Sequence, residues 1–185
     1  MVNMPMDFSA VFLDRDGVIN KPIIINDKPY APKTYNEFKL YPGICKSLKA
    51  LKINGFLTIV VTNQPDIGNG ITQLYEVQLM HERLMKTNLI DGIYMCSHSQ
   101  REQCSCRKPG IKMLTDAKKK FNINMSNSWL IGDRWSDVSA ARSAGLTPIF
   151  VDHGYAETKS KLQTCINAKN LKSAVKKIVA SLPIL

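Results

Sequence analysis

The chain has 185 residues, 44% of them hydrophobic, and a formal net charge of +10 at neutral pH, enough for one domain with a sizeable core. Its longest clean apolar run, FLTIVV, is far short of the roughly 20 residues a membrane span needs, and the opening MVNMPMDFSAVFLD has neither the basic nor the long apolar region of a secretory leader. Five cysteines, three of them clustered and two (Cys45, Cys165) alone, fit a reducing cytoplasmic setting rather than a disulfide framework.

SAVFLD (9–14) is the first of five apolar segments rich in β-branched or aromatic residues, and it predicts a strand. Residues 18–42, VINKPIIINDKPYAPKTYNEFKLYP, hold several prolines and no helical period, so they predict a loop or small hairpin, too short for an inserted cap domain. PGICKSLKALKINGF then reads as a helix starting near Pro42 and stopping at Gly55. A strand at LTIVVT (57–62) precedes the helical TQLYEVQLMHERLMKTN, with Thr72 as its expected cap. A strand at GIYMC (92–96) is followed by a helix in GIKMLTDAKKKFN, a strand at WLIGD (129–133), a helix in SDVSAARSAG ending at Gly145, and a strand at TPIFVD (147–152). Residues 153–168 read as a looser connection to a last amphipathic helix near 170–181.

Strands alternating with helices predict an α/β fold: a Rossmann-like parallel sheet of about five strands, helices on both faces and no cap domain. The expected unit is a single domain, 1–185, with a core at about 8–152 and a C-terminal helical extension at about 153–185. Most of the excess lysines sit at helix-face spacing or in the tail, in CKSLKALK, DAKKKF and LKSAVKKIV. No aromatic residues interleave with them as a platform for stacking bases would require, so neither nucleic acid nor membrane is the expected partner. A small phosphorylated molecule is.

In open parallel sheets ligands bind at the carboxyl ends of the strands. Those positions read FLDRDG after the first strand, VTNQ after the second and IGDRWSD after the fourth. One such Asp is an ordinary turn residue or helix cap. Carboxylates gathered from two strands repel one another unless a cation lies between them, and oxygen-only ligands favour Mg2+. A second cluster, MCSHSQREQCSCRKPG (95–110), brings Cys96, His98, Cys104 and Cys106 together in the spacing C-x-H-x5-C-x-C. The residue types suit a four-ligand zinc site; the spacing, tighter than a zinc finger's, leaves a disulfide or unligated thiols open. His81, in a predicted helix, and His153, in a late loop, read as ordinary helix or surface residues.

DRDGVIN, VTNQ, CRKP and GDRWSD resemble, in order and spacing, the four motifs of the haloacid dehalogenase superfamily of phosphotransferases, over roughly residues 8–152. CRKPG after a Cys/His loop resembles the branch holding the heptose-bisphosphate and histidinol-phosphate phosphatases. The resemblance implies that Asp14 is the nucleophile, forming an aspartyl-phosphate, and that Asp16 is in turn general acid and general base. It implies Mg2+ on the Asp14 carboxylate, the Asp16 backbone carbonyl and the Asp133 carboxylate, with Asp137 orienting the ion or its waters. Thr62 and Lys108 would bind the transferring phosphoryl group, Asn63 and Gln64 would line the pocket, and Arg15, Arg107 and Arg134 would contact substrate. It also implies that the cysteine loop holds a structural Zn2+ with no open coordination position.

Substrate choice is less legible. The heptose enzymes often carry a longer zinc loop and an Arg where TNQPDIGNG has Asn69, and the short loop and GDR look more like histidinol phosphatases. DRDGVIN, KPYAP and VTNQPDIG look more like sugar-phosphate members. The expected substrate is therefore D-glycero-D-manno-heptose 1,7-bisphosphate or a related sugar phosphate, with histidinol phosphate the alternative. A basic zinc-stabilised nucleic-acid-binding module, or a nucleic-acid end phosphatase, is the reading from another class. The enzyme is expected to be a monomer.

Overall fold

A computed structural model of the chain describes residues 7–155 and 165–182. The stretch read for a secretory leader and the middle of the predicted 153–168 connection lie partly outside these residues.

Strand β1 (Ala10–Leu13) is the buried centre of the sheet. A hairpin follows, β2 (Ile23–Ile25) paired antiparallel with β3 (Lys28–Tyr30). Its two turn residues, Asn26 and Asp27, sit at φ 49° and 58°, in the left-handed region that Asn and Asp tolerate in tight hairpin turns. Then come α1 (Ile44–Ile53), β4 (Leu57–Asn63), the single turn α2 (Pro65–Gly68), α3 (Leu74–Met85) and β5 (Gly92–Cys96). The second half runs α4 (Lys112–Phe121), β6 (Trp129–Gly132), α5 (Trp135–Ser143), β7 (Thr147–Val151), β8 (Ile166–Ala168) and α6 (Leu171–Ala180).

All six main-sheet strands are parallel, in the order β5-β4-β1-β6-β7-β8. The sequence predicts about five. The sixth, β8, has three residues, only one of them β-branched, and exists through its pairing with the edge of β7, Ile149 opposite Ile166 and Val151 opposite Ala168. A second difference is at Thr72: α3 begins at Leu74 with Gln73 as its cap, and the Thr72 hydroxyl is buried without a hydrogen-bond partner.

Residues of β1 alternate between the two faces, as the two-residue period of a strand requires. Val11 and Leu13 pack with Leu48 and Leu51 of α1, Met80 of α3 and Val175 of α6. Ala10 and Phe12 pack with Met113 and Leu114 of α4 and Ala140 of α5. Burying each Val, Leu, Phe or Met among them stabilises the fold by roughly 1.5–3 kcal/mol. The chain leaves β1 towards β4 and β5, then crosses to the other side for β6, β7 and β8. The connections therefore diverge at the carboxyl end of β1 and leave a crevice there, the usual ligand position in such sheets. No helix among the described residues is long and apolar enough to cross a membrane.

Candidate active site

Asp14 directly follows β1, and its backbone N–H donates to the Ile131 carbonyl of neighbouring β6 at 2.8 Å. Lys108, buried beside it, places Nζ 2.7 Å from Asp14 Oδ1, 2.7 Å from the Val61 carbonyl and 2.6 Å from Asp137 Oδ1. The ammonium donates to Asp14 and to the Val61 carbonyl and forms an ion pair with Asp137. Burial alone would lower the Lys108 pKa, but Asp137 and Asp14 together hold it above the ordinary lysine range. For Asp14, burial raises the carboxyl most, Lys108 pulls it back, Asp137 and Asp16 add to the rise, and the group is pushed up to about 7.

Asp16 is held by donors alone. Arg15 Nη2 reaches both its oxygens at 3.0 and 2.9 Å, Asn20 Nδ2 donates to Oδ1 at 2.8 Å, and Gln64 Nε2 donates to Oδ2 at 2.7 Å. The second hydrogen of the Gln64 amide goes to the Thr62 hydroxyl at 2.8 Å.

Ligand oxygens of Asp14, Asp133 and Asp137 all lie within 4.8 Å of one another. Three carboxylates against the one ammonium of Lys108 leave a formal charge of −2, which one divalent cation cancels. Asp133 is buried, its Oδ1 has no hydrogen-bond partner, and burial followed by Asp14 and Asp137 raises its pKa well above the usual range. An orphaned carboxylate oxygen beside two others is a donor set that fits Mg2+. Two glycines make the cluster possible. A methyl group on Gly17, at φ 89°, would run into the Asp133 carboxylate, and one on Gly132 would run into the Asp137 side chain.

Asp137 is placed to hold Lys108. Its Oδ2 accepts the Arg134 backbone N–H at 3.1 Å at the start of α5, while Oδ1 faces the ammonium.

The Cys/His loop closes a four-cornered cluster. Cys96 Sγ is 3.4 Å from Cys104 Sγ and 3.6 Å from His98 Nδ1, and Cys106 Sγ is 3.5 Å from Cys104 Sγ and 3.2 Å from His98 Nδ1. These edges are too long for a disulfide, whose sulfurs sit about 2.05 Å apart. A zinc ion with bonds of about 2.0–2.3 Å gives a tetrahedron with edges of roughly 3.5–3.8 Å, so the four residues could hold one. Burial raises the Cys96 thiol to about 12. Burial would also raise Cys104, but the Arg107 backbone N–H and the thiols of Cys96 and Cys106 bring it down to about 7.

A cavity of about 380 Å³ opens over this site. Asp14, Asp16, Asn63, Arg107, Lys108, Asp133, Arg134 and Asp137 line it, as the sequence leads one to expect. Three expected residues are not in its wall. The Arg15 side chain is 0% exposed and clamps Asp16 from behind, so the expected substrate contact by Arg15 does not match its placement. Thr62 and Gln64 are buried beneath Asp16 rather than facing the cavity. The hairpin side contributes Pro22, Pro29, Tyr30 and Ala31, and α5 contributes Trp135.

Sequence reasoning also missed three residues. Asn20, inside the quoted DRDGVIN, is one of the three side chains that fix Asp16. The two histidines read as bland both reach the loop that follows β1: His81 Nε2, from α3, is 3.3 Å from Arg15 Nη1, and His153 Nε2, from beyond β7, is 2.7 Å from the Gly17 carbonyl. Nothing in the spacing of either histidine signals this, because both contacts depend on the tertiary fold.

A family profile described as HAD-hydrolase-like matches residues 105–178. The chain is 34% identical over 175 residues to the D-glycero-beta-D-manno-heptose-1,7-bisphosphate 7-phosphatase of Helicobacter pylori, covering 90% of this chain and 94% of that one. It is 35% identical over 167 residues to the enzyme of the same name from Haemophilus ducreyi, covering 83% and 88%. Among solved structures, a D,D-heptose 1,7-bisphosphate phosphatase from B. bronchiseptica, complexed with magnesium and phosphate, superposes with a TM-score of 0.80 at 22% identity, covering 95% of this chain and 100% of that one.

Proposed function

Because the chain belongs to the haloacid dehalogenase-like hydrolases, in the family of the heptose-bisphosphate phosphatases, we propose that it removes the 7-phosphate of D-glycero-D-manno-heptose 1,7-bisphosphate. The β anomer, for which the relatives are named, is the proposed form. The observation that carries the reading is Asp14 at the switch point of the sheet. One of its oxygens is fixed by Lys108, and Asp16 stands two residues on at the same cavity.

Lys108 takes Asp14 Oδ1, which leaves Oδ2 to attack phosphorus. The P–O bond to the sugar breaks as the new P–O bond to Asp14 forms, and Asp16, protonated when substrate is bound, gives that proton to the departing sugar oxygen. In the second half, Asp16 takes a proton from water, the water oxygen attacks phosphorus, and the bond to Asp14 breaks to release inorganic phosphate. Asp14 and Asp133, with the Asp16 backbone carbonyl, are the proposed Mg2+ ligands. When bound, the ion neutralises charge on nucleophile and phosphate together. Arg107 and Arg134, both at the cavity, are proposed to bind the substrate's anionic groups, Arg107 with a planar fork suited to phosphate. Cys96, His98, Cys104 and Cys106 are proposed to hold a structural Zn2+ that fixes the loop carrying Arg107.

On this reading the enzyme works in the cytoplasm as a monomer on a small phosphorylated sugar, without a nucleic-acid or membrane partner. A cavity of this volume walled by a hairpin and the zinc loop suits a sugar phosphate. The test is phosphate release in Mg2+ from the heptose bisphosphate, histidinol phosphate and a 3′-phosphorylated oligonucleotide. The 7-phosphate of the heptose should be released with a kcat/KM far above the other two. Preference for histidinol phosphate, or equal turnover of the oligonucleotide, would overturn the assignment.

A further inference from the structure

Arg15 has two ends. Its Nε and Nη2 lie 2.9–3.2 Å from the oxygens of Asp16, and its Nη1 points the other way, to His81 Nε2 at 3.3 Å. We propose that His81 is a positioning residue for the reaction: a neutral imidazole that accepts from Arg15 and so sets the guanidinium that clamps Asp16. The proposal rests on the reading of Asp16 as the proton donor and acceptor.

The chemistry fixes the tautomer. Arginine has donors and no acceptor, so His81 Nε2 must offer its lone pair and the ring proton must sit on Nδ1. Burial and the Arg15 charge, against a smaller pull from Asp16, lower the His81 pKa to about 4, so the ring is neutral at neutral pH. The guanidinium carbon lies 5.6 Å from the Phe38 ring centroid, and Arg83 approaches the same ring at 6.0 Å. Arg15 is thus held by a carboxylate at one end, an aromatic face along its plane and His81 at the other end. The side-chain amides of Asn20 and Gln64 also donate to Asp16, apart from the Arg15 guanidinium, so loss of His81 loosens the clamp without emptying it.

The test compares His81→Leu, which removes the acceptor, with His81→Gln, whose amide oxygen can replace it. Phosphate release is followed both from the heptose bisphosphate and from 4-nitrophenyl phosphate, so that a wrong sugar assignment does not void the result. His81→Leu should lower kcat by about tenfold with KM little changed, a fraction of the roughly 10²-fold that a 1 Å misplacement can cost, and His81→Gln should restore most of it. In an Arg15→Met background, His81→Leu should add little, since the two residues act as one unit. Nitrogen-15 NMR of the parent imidazole at neutral pH reads the pairing without turnover and should find Nε2 unprotonated and Nδ1 protonated. If no phosphate is released from any monoester, the phosphatase reading falls, and the NMR result still judges the clamp. A proton on Nε2, parent kcat in His81→Leu, equal losses in the Leu and Gln variants, or full additivity with Arg15→Met would each overturn the positioning role.

Discussion

The side-chain amide of Asn63 bonds both backbone groups of Lys108: Oδ1 accepts the Lys108 N–H at 3.0 Å, and Nδ2 donates to the Lys108 carbonyl at 3.1 Å. Asn63 ends β4, so the sheet itself fixes the height of a lysine supplied by a distant loop. Asn63→Leu should break both bonds and let Lys108 shift relative to Asp14. The expected outcome is a kcat/KM lower by on the order of 10²-fold. The stranded Lys108 backbone N–H should also lower stability by about 1–3 kcal/mol. Steady-state kinetics with a urea titration checks both. Parent kinetics in a folded Asn63→Leu protein would mean that Lys108 needs no such tether.

Asp14→Asn should abolish phosphate release while the fold persists, because the amide keeps the carboxylate's shape and an oxygen for Lys108 but is no nucleophile. Asp16→Asn should behave differently. Every group around Asp16 is a donor, so an amide nitrogen placed there meets Arg15 or Gln64 donor to donor. This variant should lose roughly 10²–10⁴-fold in kcat with proton transfer and also melt lower than Asp14→Asn. Calorimetry and phosphate release together separate the two effects; an Asp16→Asn protein as stable as the parent would contradict the donor-only cage.

The Asp14 pKa gives a stability prediction whose sign can be worked out. In the unfolded chain the carboxyl titrates at 3.8, and in the metal-free folded protein at about 7. Between those values the folded state holds a proton that the unfolded state has released. The stabilisation is therefore fully present below 3.8 and is lost as pH rises to about 7, with a slope of at most about 1.4 kcal/mol per pH unit. Mg2+ competes with that proton, so the gain in Tm on adding Mg2+ should grow between about pH 5.5 and pH 8. Asp14→Asn in EDTA should show a shallower fall of Tm over the same window. A Mg2+ gain independent of pH would show that the carboxylates are already ionised without the metal.

The sheet and the strand-end carboxylates were legible because period and position carry them. SAVFLD, LTIVVT and WLIGD read as buried strands, and Asp14, Asn63 and Asp133 follow from where those strands stop. What stayed hidden depends on partners distant in the chain. Strand β8 has no pattern of its own and forms only against β7. Arg15, which by charge and place between two aspartates looks exposed to substrate, turns inward because Phe38, His81 and Asp16 together complete its surroundings. Thr62 and Gln64 turn inward for a related reason, since the Gln64 amide has one acceptor in Asp16 and a second in Thr62. Both histidines meet the loop after β1 only once α3 and the exit of β7 are packed against it.

The Cys/His loop gives a prediction in which the two basic residues after it part company. Lys108 is two residues past Cys106, yet it is also tied by Asn63 at its backbone and by Asp14, Asp137 and the Val61 carbonyl at its ammonium. Arg107 lacks such ties to the sheet; its Nη1 donates to the carbonyl of His98, one of the four clustered residues, at 3.3 Å. Structural zinc contributes on the order of 10–16 kcal/mol of apparent binding energy in small peptides, and the α/β core here should need little of it to fold. Cys104→Ser should therefore lose zinc by metal analysis and keep the circular dichroism of its sheet and helices. Its defect should be chiefly a higher KM, from a misplaced Arg107, with a smaller fall in kcat because Lys108 stays in place. Added Mg2+ should not restore KM, since the two proposed metal sites are separate clusters. Zinc-free protein from a chelator-free preparation, or a Cys104→Ser variant whose kcat falls while KM holds, would show that the loop does not work through Arg107.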